Sequence, residues 1–66
     1  MRIKPLENWR HAGYPADTAL DTEKTYLAIP ATNQPKWKEK GKVFVECPNG
    51  APELCLQKGE YEVVEE

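Results

Sequence analysis

The chain has 66 residues, room for one small domain and no more. Its net charge of −2 and pI near 5.4 lie far from the footprint of a dedicated nucleic-acid binder, where a pI above about 9 is usual. The longest apolar run, residues 26–29, is far short of the ~20 residues that span a membrane. The opening MRIKPLENWRH has no apolar stretch of the kind a secretory signal carries.

The expected compartment is therefore the cytoplasm, where disulfides are rare. A chain this short buries only about 60% of its unfolded surface. Nearly every large apolar side chain has to go inside, which leaves little interior for a deep active site.

Six prolines and four glycines punctuate the chain, and no long stretch carries a clean 3.6-residue stripe. Long helices are excluded on that ground. Residues 2–4 read as a short edge strand stopped by Pro5. Residues 6–12, LENWRHA, predict two helical turns closed by Gly13 at the C′ position. Within them Trp9 is expected to cover the open end of a sheet, with a binding role as the alternative. A second turn is predicted at residues 16–20, with Asp17 available as a cap.

The remainder predicts short strands. Residues 25–31, TYLAIPA, form the first, and Pro30, which donates no ladder hydrogen bond, marks an edge or a bulge there. A polar loop follows at residues 33–41. Strands are then expected at residues 42–47, 54–57 and 61–65. The domain thus divides into an irregular or helical-turn segment, residues 1–24, and a β-rich core, residues 25–65, of a single domain 1–66.

Asn49-Gly50 is a strong hairpin signal, because a type I′ turn needs positive φ at both central residues. With these two at the turn, Val45 faces Leu54 and Val43 faces Leu56. Val43, Val45, Cys47, Leu54 and Leu56 then share one face, and Phe44, Glu46, Glu53, Cys55 and Gln57 share the other. A slip of one residue would split the valines from the leucines. In the preferred register Cys47 and Cys55 point to opposite faces, beyond disulfide reach. A second turn at Lys58-Gly59 is expected to continue the meander, pairing Leu56 with Tyr61 and Leu54 with Val63. Val64 would then need a second apolar layer, supplied by Leu27 and Ile29.

The order of an apolar strand TYLAIPA, a long polar loop, the strand GKVFVE, a hairpin and GEYEVV resembles the SH3-like class of small barrels, over residues 25–65. The expected fold is all-β: an SH3-like open barrel or a strongly bent antiparallel sheet of four to five short strands, with a short N-terminal helical turn.

Catalytic constellations are sparse. His11 is the sole histidine, there is no serine, and the four glycines are isolated rather than grouped in a phosphate loop. Two cysteines seven residues apart with one histidine lack paired zinc-ligand spacing. The expectation is a non-enzyme without metal or cofactor.

The segment KWKEKGK, residues 36–42, stands above this background, with four lysines and one glutamate around Trp37. An exposed tryptophan among lysines offers an anchor to a protein partner, or stacking and phosphate attraction to single-stranded nucleic acid. The bland alternative is that Trp37 folds back as a cap and the lysines solubilise the loop.

The expected function is a non-catalytic interaction module whose partner is a protein, with single-stranded nucleic acid or RNA as the second choice and no membrane contact. The expected binding residues are Lys36, Trp37, Lys38 and Lys40. Tyr26 and Phe44 join them as an uncovered mixed face on the outside of the sheet.

Overall fold

The chain forms one antiparallel sheet of five short strands in the order β4-β3-β2-β1-β5. The strands are β1 (Arg2–Pro5), β2 (Tyr26–Pro30), β3 (Val43–Val45), β4 (Leu54–Leu56) and β5 (Tyr61–Glu65). This is a computed structural model, and it describes residues 1–65. β4 and β5 are the two free edges, and the sheet does not close into a barrel. Among the described residues, helix is confined to a 3₁₀ turn at Ala16–Thr18 and one four-residue helix, α1 (Trp37–Lys40). None of it is long and apolar enough to cross a membrane.

The β3–β4 hairpin forms in the register that Asn49-Gly50 dictates. Both turn residues have positive φ, 57° and 78°, and Val43 pairs with Leu56 and Val45 with Leu54. Val43, Val45, Cys47 and Leu56 are buried, while Glu46, Glu53, Cys55 and Gln57 are exposed on the other side. Both cysteines are free, Cys47 inside and Cys55 outside.

The final strand departs from expectation. β5 pairs with β1, setting Ile3 against Val63 and Pro5 against Tyr61, and does not continue the meander beside β4. The turn explains the difference. Gly59 has φ +94°, whereas Lys58 does not take positive φ. The pattern is that of a type II turn, which splays the flanking strands instead of matching their twist. The Lys58 amide is drawn away to the Lys40 carbonyl at 2.8 Å, and the chain crosses to the opposite edge.

β1 consequently lies inside the sheet and is not an edge. Its pairing with β2 ends at Ile3, so Pro5 has only one neighbouring strand, the setting in which a proline is tolerated. Pro30 ends β2 under the same condition, beside β3 alone. Between Arg2 and Ile3 the β1–β5 register shifts, which leaves Val64 as the extra residue of a bulge. Val64, Leu27 and Ile29 are all exposed, so the second apolar layer expected over Val64 is not formed.

The helix expected at residues 6–12 does not form. Leu6 is 51% exposed, and the backbone is committed elsewhere. The Leu6 amide bonds Glu60 O at 3.1 Å, and the Leu20 amide bonds Trp9 O at 2.9 Å. Two turns of helix nucleate poorly, and these tertiary bonds win. The 3₁₀ turn does form within the expected residues 16–20, but Pro15 sits at its N-cap position with no side-chain cap. Asp17 therefore plays no capping role.

The long β1–β2 connection folds back over the inner face of the sheet. Leu20 is fully buried and joins Ile3, Ala28, Val43, Val45, Cys47 and Leu56 in the core. Trp9 packs against that cluster and donates Nε1–H to Glu60 O at 2.8 Å. The loop is also tied to the β3–β4 hairpin. Asn49 donates to Asp17 O at 2.7 Å, and His11 Nε2 lies 3.1 Å and 3.0 Å from the carbonyls of Pro52 and Glu53. Both partners only accept, so Nε2 carries the ring proton.

Candidate functional site

The β2–β3 connection carries the lysines. Its base is closed by the Ala31 amide on Lys42 O at 2.9 Å, and Ala31 is fully buried. At its tip Lys36 adopts the left-handed conformation, φ 59°, immediately before α1. A single turn follows, with the Lys40 amide on Lys36 O at 3.0 Å.

Gly41 ends that turn, also left-handed at φ 63°, with its amide on Trp37 O. The Lys42 amide reaches the same carbonyl at 3.1 Å. The loop expected at residues 33–41 thus contains an ordered helical turn, whose single-turn length leaves no periodicity to detect.

Gly41 is also where this loop docks. A Cβ there would lie 3.0 Å from Lys58 Cβ, 3.1 Å from Tyr61 Oη and 3.2 Å from Lys58 N. Tyr61 donates its hydroxyl to Gly41 O at 2.6 Å. Only a residue without a side chain combines this φ with this proximity. The β4–β5 connection and the start of β5 therefore hold α1 in place.

The result is a cleft of about 200 Å³, lined by Trp37, Tyr61, Met1, Pro30 and Val43, with Lys38 and Lys42 also in its wall. Trp37 is half-buried and is not among the side chains packed against the core. Its indole carries Lys38 Nζ 5.7 Å from the ring centroid, a cation–π contact worth about 0.5–1 kcal/mol at an exposed site. Lys36, Lys38 and Lys40 are exposed and Lys42 is half-buried. Burial pushes the Tyr61 hydroxyl above its ordinary pKa, so at neutral pH it remains a proton donor to Gly41.

The six expected binding residues do not make one surface. Lys36, Trp37, Lys38 and Lys40 fall together on α1 and its N-cap. Phe44 is half-buried, pairs with Ile29 and Cys55, and faces outward. Tyr26 does not share that face. It pairs with Ile3, packs against the core and accepts the Asp21 amide on its hydroxyl at 2.7 Å. The Ala28–Val45 pairing puts Ala28 inward, and the two-residue period carries Tyr26 with it.

Tyr61, Met1, Pro30 and Val43 escaped the sequence reading as cleft residues. Two of them come from near the chain ends: Met1 is placed beside β2, its carbonyl accepting the Ala28 amide at 2.8 Å, and Tyr61 opens β5.

Chemically, the cleft offers an apolar slot beside several ammonium groups. Among the described residues no three His, Cys, Asp or Glu side chains gather as a metal-ligating set. Comparison with protein-family models finds no match, and comparisons with characterised proteins and with solved structures find none at a meaningful level either.

Proposed function

We propose that the chain is a non-catalytic, SH3-like interaction module that binds another protein through the Trp37 cleft. The observation that carries this reading is Trp37 itself: a half-exposed indole outside the core, on a turn held rigid by Gly41 and Tyr61, beside an apolar slot. Rigid aromatic anchors next to a pocket are the usual energetic centre of protein contacts.

The lysines set the partner's chemistry. The segment 36–42 carries a net +3 while the whole chain carries −2. The expected ligand is an acidic segment presenting an apolar side chain. The SH3-like description is supported by the order of features along the chain, strand, long polar loop, strand, tight hairpin and final strand, set on one continuous antiparallel sheet. A cytoplasmic location accords with two free thiols, one of them exposed.

A second reading, single-stranded nucleic acid on Lys36, Trp37, Lys38 and Lys40, draws on the same cluster. The chain's net charge of −2 and pI near 5.4 count against it. The two readings separate by salt. Phosphate-driven binding weakens steeply with ionic strength, whereas an aromatic-anchored contact weakens little. The test is capture from source lysate with and without nuclease, across a salt series. A nuclease-resistant protein partner supports the first reading, and loss of capture on nuclease treatment supports the second.

A further inference from the structure

We propose that the outer face of β2 and β3 is a second docking site, for a basic, apolar segment of a partner protein. This face is built on an inverted strand. β2 turns its two largest aliphatic side chains, Leu27 and Ile29, outward, each 66% exposed, and Ala28 inward at 3%. The pairings Ile3–Tyr26 and Ala28–Val45 fix that orientation. The interior on this strand has room for an alanine, so the core gains nothing from the outward leucine and isoleucine.

These side chains do not stand alone. Ile29, Phe44 and Cys55 lie side by side across β2, β3 and β4. Leu27, Ile29 and Phe44 line a concavity of about 420 Å³ with Glu46 and Glu53. Both glutamates are exposed. The Met1 ammonium also borders it, but is directed at Ala28 O, 3.4 Å away. Arg2, opposite Leu27, closes the β1 side and is directed at Thr25 Oγ1. The acidic side of the concavity is therefore over β3 and β4, and a ligand's cations belong there.

Charge selects among occupants. An apolar floor with a carboxylate rim repels an anionic lipid surface. A second copy stacked face to face would bring two acidic rims together, and like charges across an interface are costly. A segment alternating apolar and cationic residues satisfies both parts. This site is acidic where the Trp37 cleft is basic, so it stands independently of the function proposed above.

The test uses the intact protein labelled for NMR and two short capped synthetic peptides, one alternating leucine and lysine, the other leucine and glutamate. The lysine peptide is expected to shift the amides of Leu27, Ile29 and Phe44 and to leave those of Trp37 and Lys38 in place. The double change Glu46→Gln and Glu53→Gln should weaken it at least about fivefold, and Ile29→Ser about tenfold. Leu27→Ser is the second apolar variant should Ile29→Ser fold poorly. Equal binding of the glutamate peptide, shifts centred on the Trp37 cleft, or no loss in the charge variant would overturn the proposal. So would sedimentation showing that the free protein self-associates through this face, or its capture by anionic vesicles.

Discussion

Replacing Gly41 by alanine asks whether the Trp37 turn is truly docked on the β4–β5 connection. Two costs apply. The left-handed φ of 63° penalises any Cβ by roughly 1–2 kcal/mol. The new methyl would also lie 3.0 Å from Lys58 Cβ and 3.2 Å from Lys58 N, so backbone has to move, at about 1–3 kcal/mol. That movement would also strain the Tyr61–Gly41 hydrogen bond, worth ~1 kcal/mol net.

The sum is about 3–6 kcal/mol. Gly50 is the internal control, with φ 78° and no atom within 4 Å of the place a methyl group would take; Gly50→Ala should cost only the conformational part, roughly 1–2 kcal/mol. For a domain of this size each kcal/mol lowers the thermal midpoint by about 4–8 °C. Circular dichroism melts should therefore show Gly41→Ala falling by about 12 °C or more, and at least ~8 °C below Gly50→Ala. Equal melts for the two variants would refute the docking.

Cys47→Asp should lower the urea midpoint strongly, since it buries a charge among Val43, Val45 and Leu56, whereas exposed Cys55→Asp should move it little. In the native protein a thiol reagent should label Cys55 quickly and Cys47 only on unfolding. Burial raises the Cys47 thiol above its ordinary 9.0 and the Tyr61 hydroxyl above 10.0. The unfolded chain then releases these protons first, so stability is held below pH 9 and lost as pH rises through the folded values; a pH series of urea melts that rises over this range would contradict it. Trp9→Phe should cost only about 1 kcal/mol, because Glu60 O keeps the Leu6 amide when the indole donor goes, while Trp9→Ala, which also removes core packing, should melt well below it.

Local chemistry made part of this fold legible. Asn49-Gly50 specifies its own turn geometry, and the turn specifies the register of Val43, Val45, Leu54 and Leu56, hence the opposite faces of the two cysteines. The strands at residues 25–31, 42–47, 54–57 and 61–65 announce themselves by composition and breakers. What stayed hidden is non-local.

The partner of β5 depends on whether Lys58 or only Gly59 takes positive φ, and on a β1 strand some sixty residues away, Ile3 against Val63. The Trp37 cleft inherits part of that difficulty, since Tyr61 in its wall opens the strand that crosses to β1. Tyr26 and Phe44 looked alike as uncovered aromatics. Which face each takes was decided by β2 turning its alanine inward, against the ordinary pattern of apolar residues facing the core. Residues 6–12 carried a helix-like spacing, but one too short to outweigh the carbonyls of Glu60 and Trp9 as partners.

The central claim is that Trp37 binds and does not hold the fold together. The measurement is capture of a protein partner by Trp37→Ala beside the unaltered chain, with nuclease present and thermal midpoints recorded for both. Side chains outside the core change stability by little, usually under about 0.5 kcal/mol. We predict a midpoint within ~4 °C of the unaltered chain together with loss of capture. Retained capture, or a variant that no longer folds, would contradict the account.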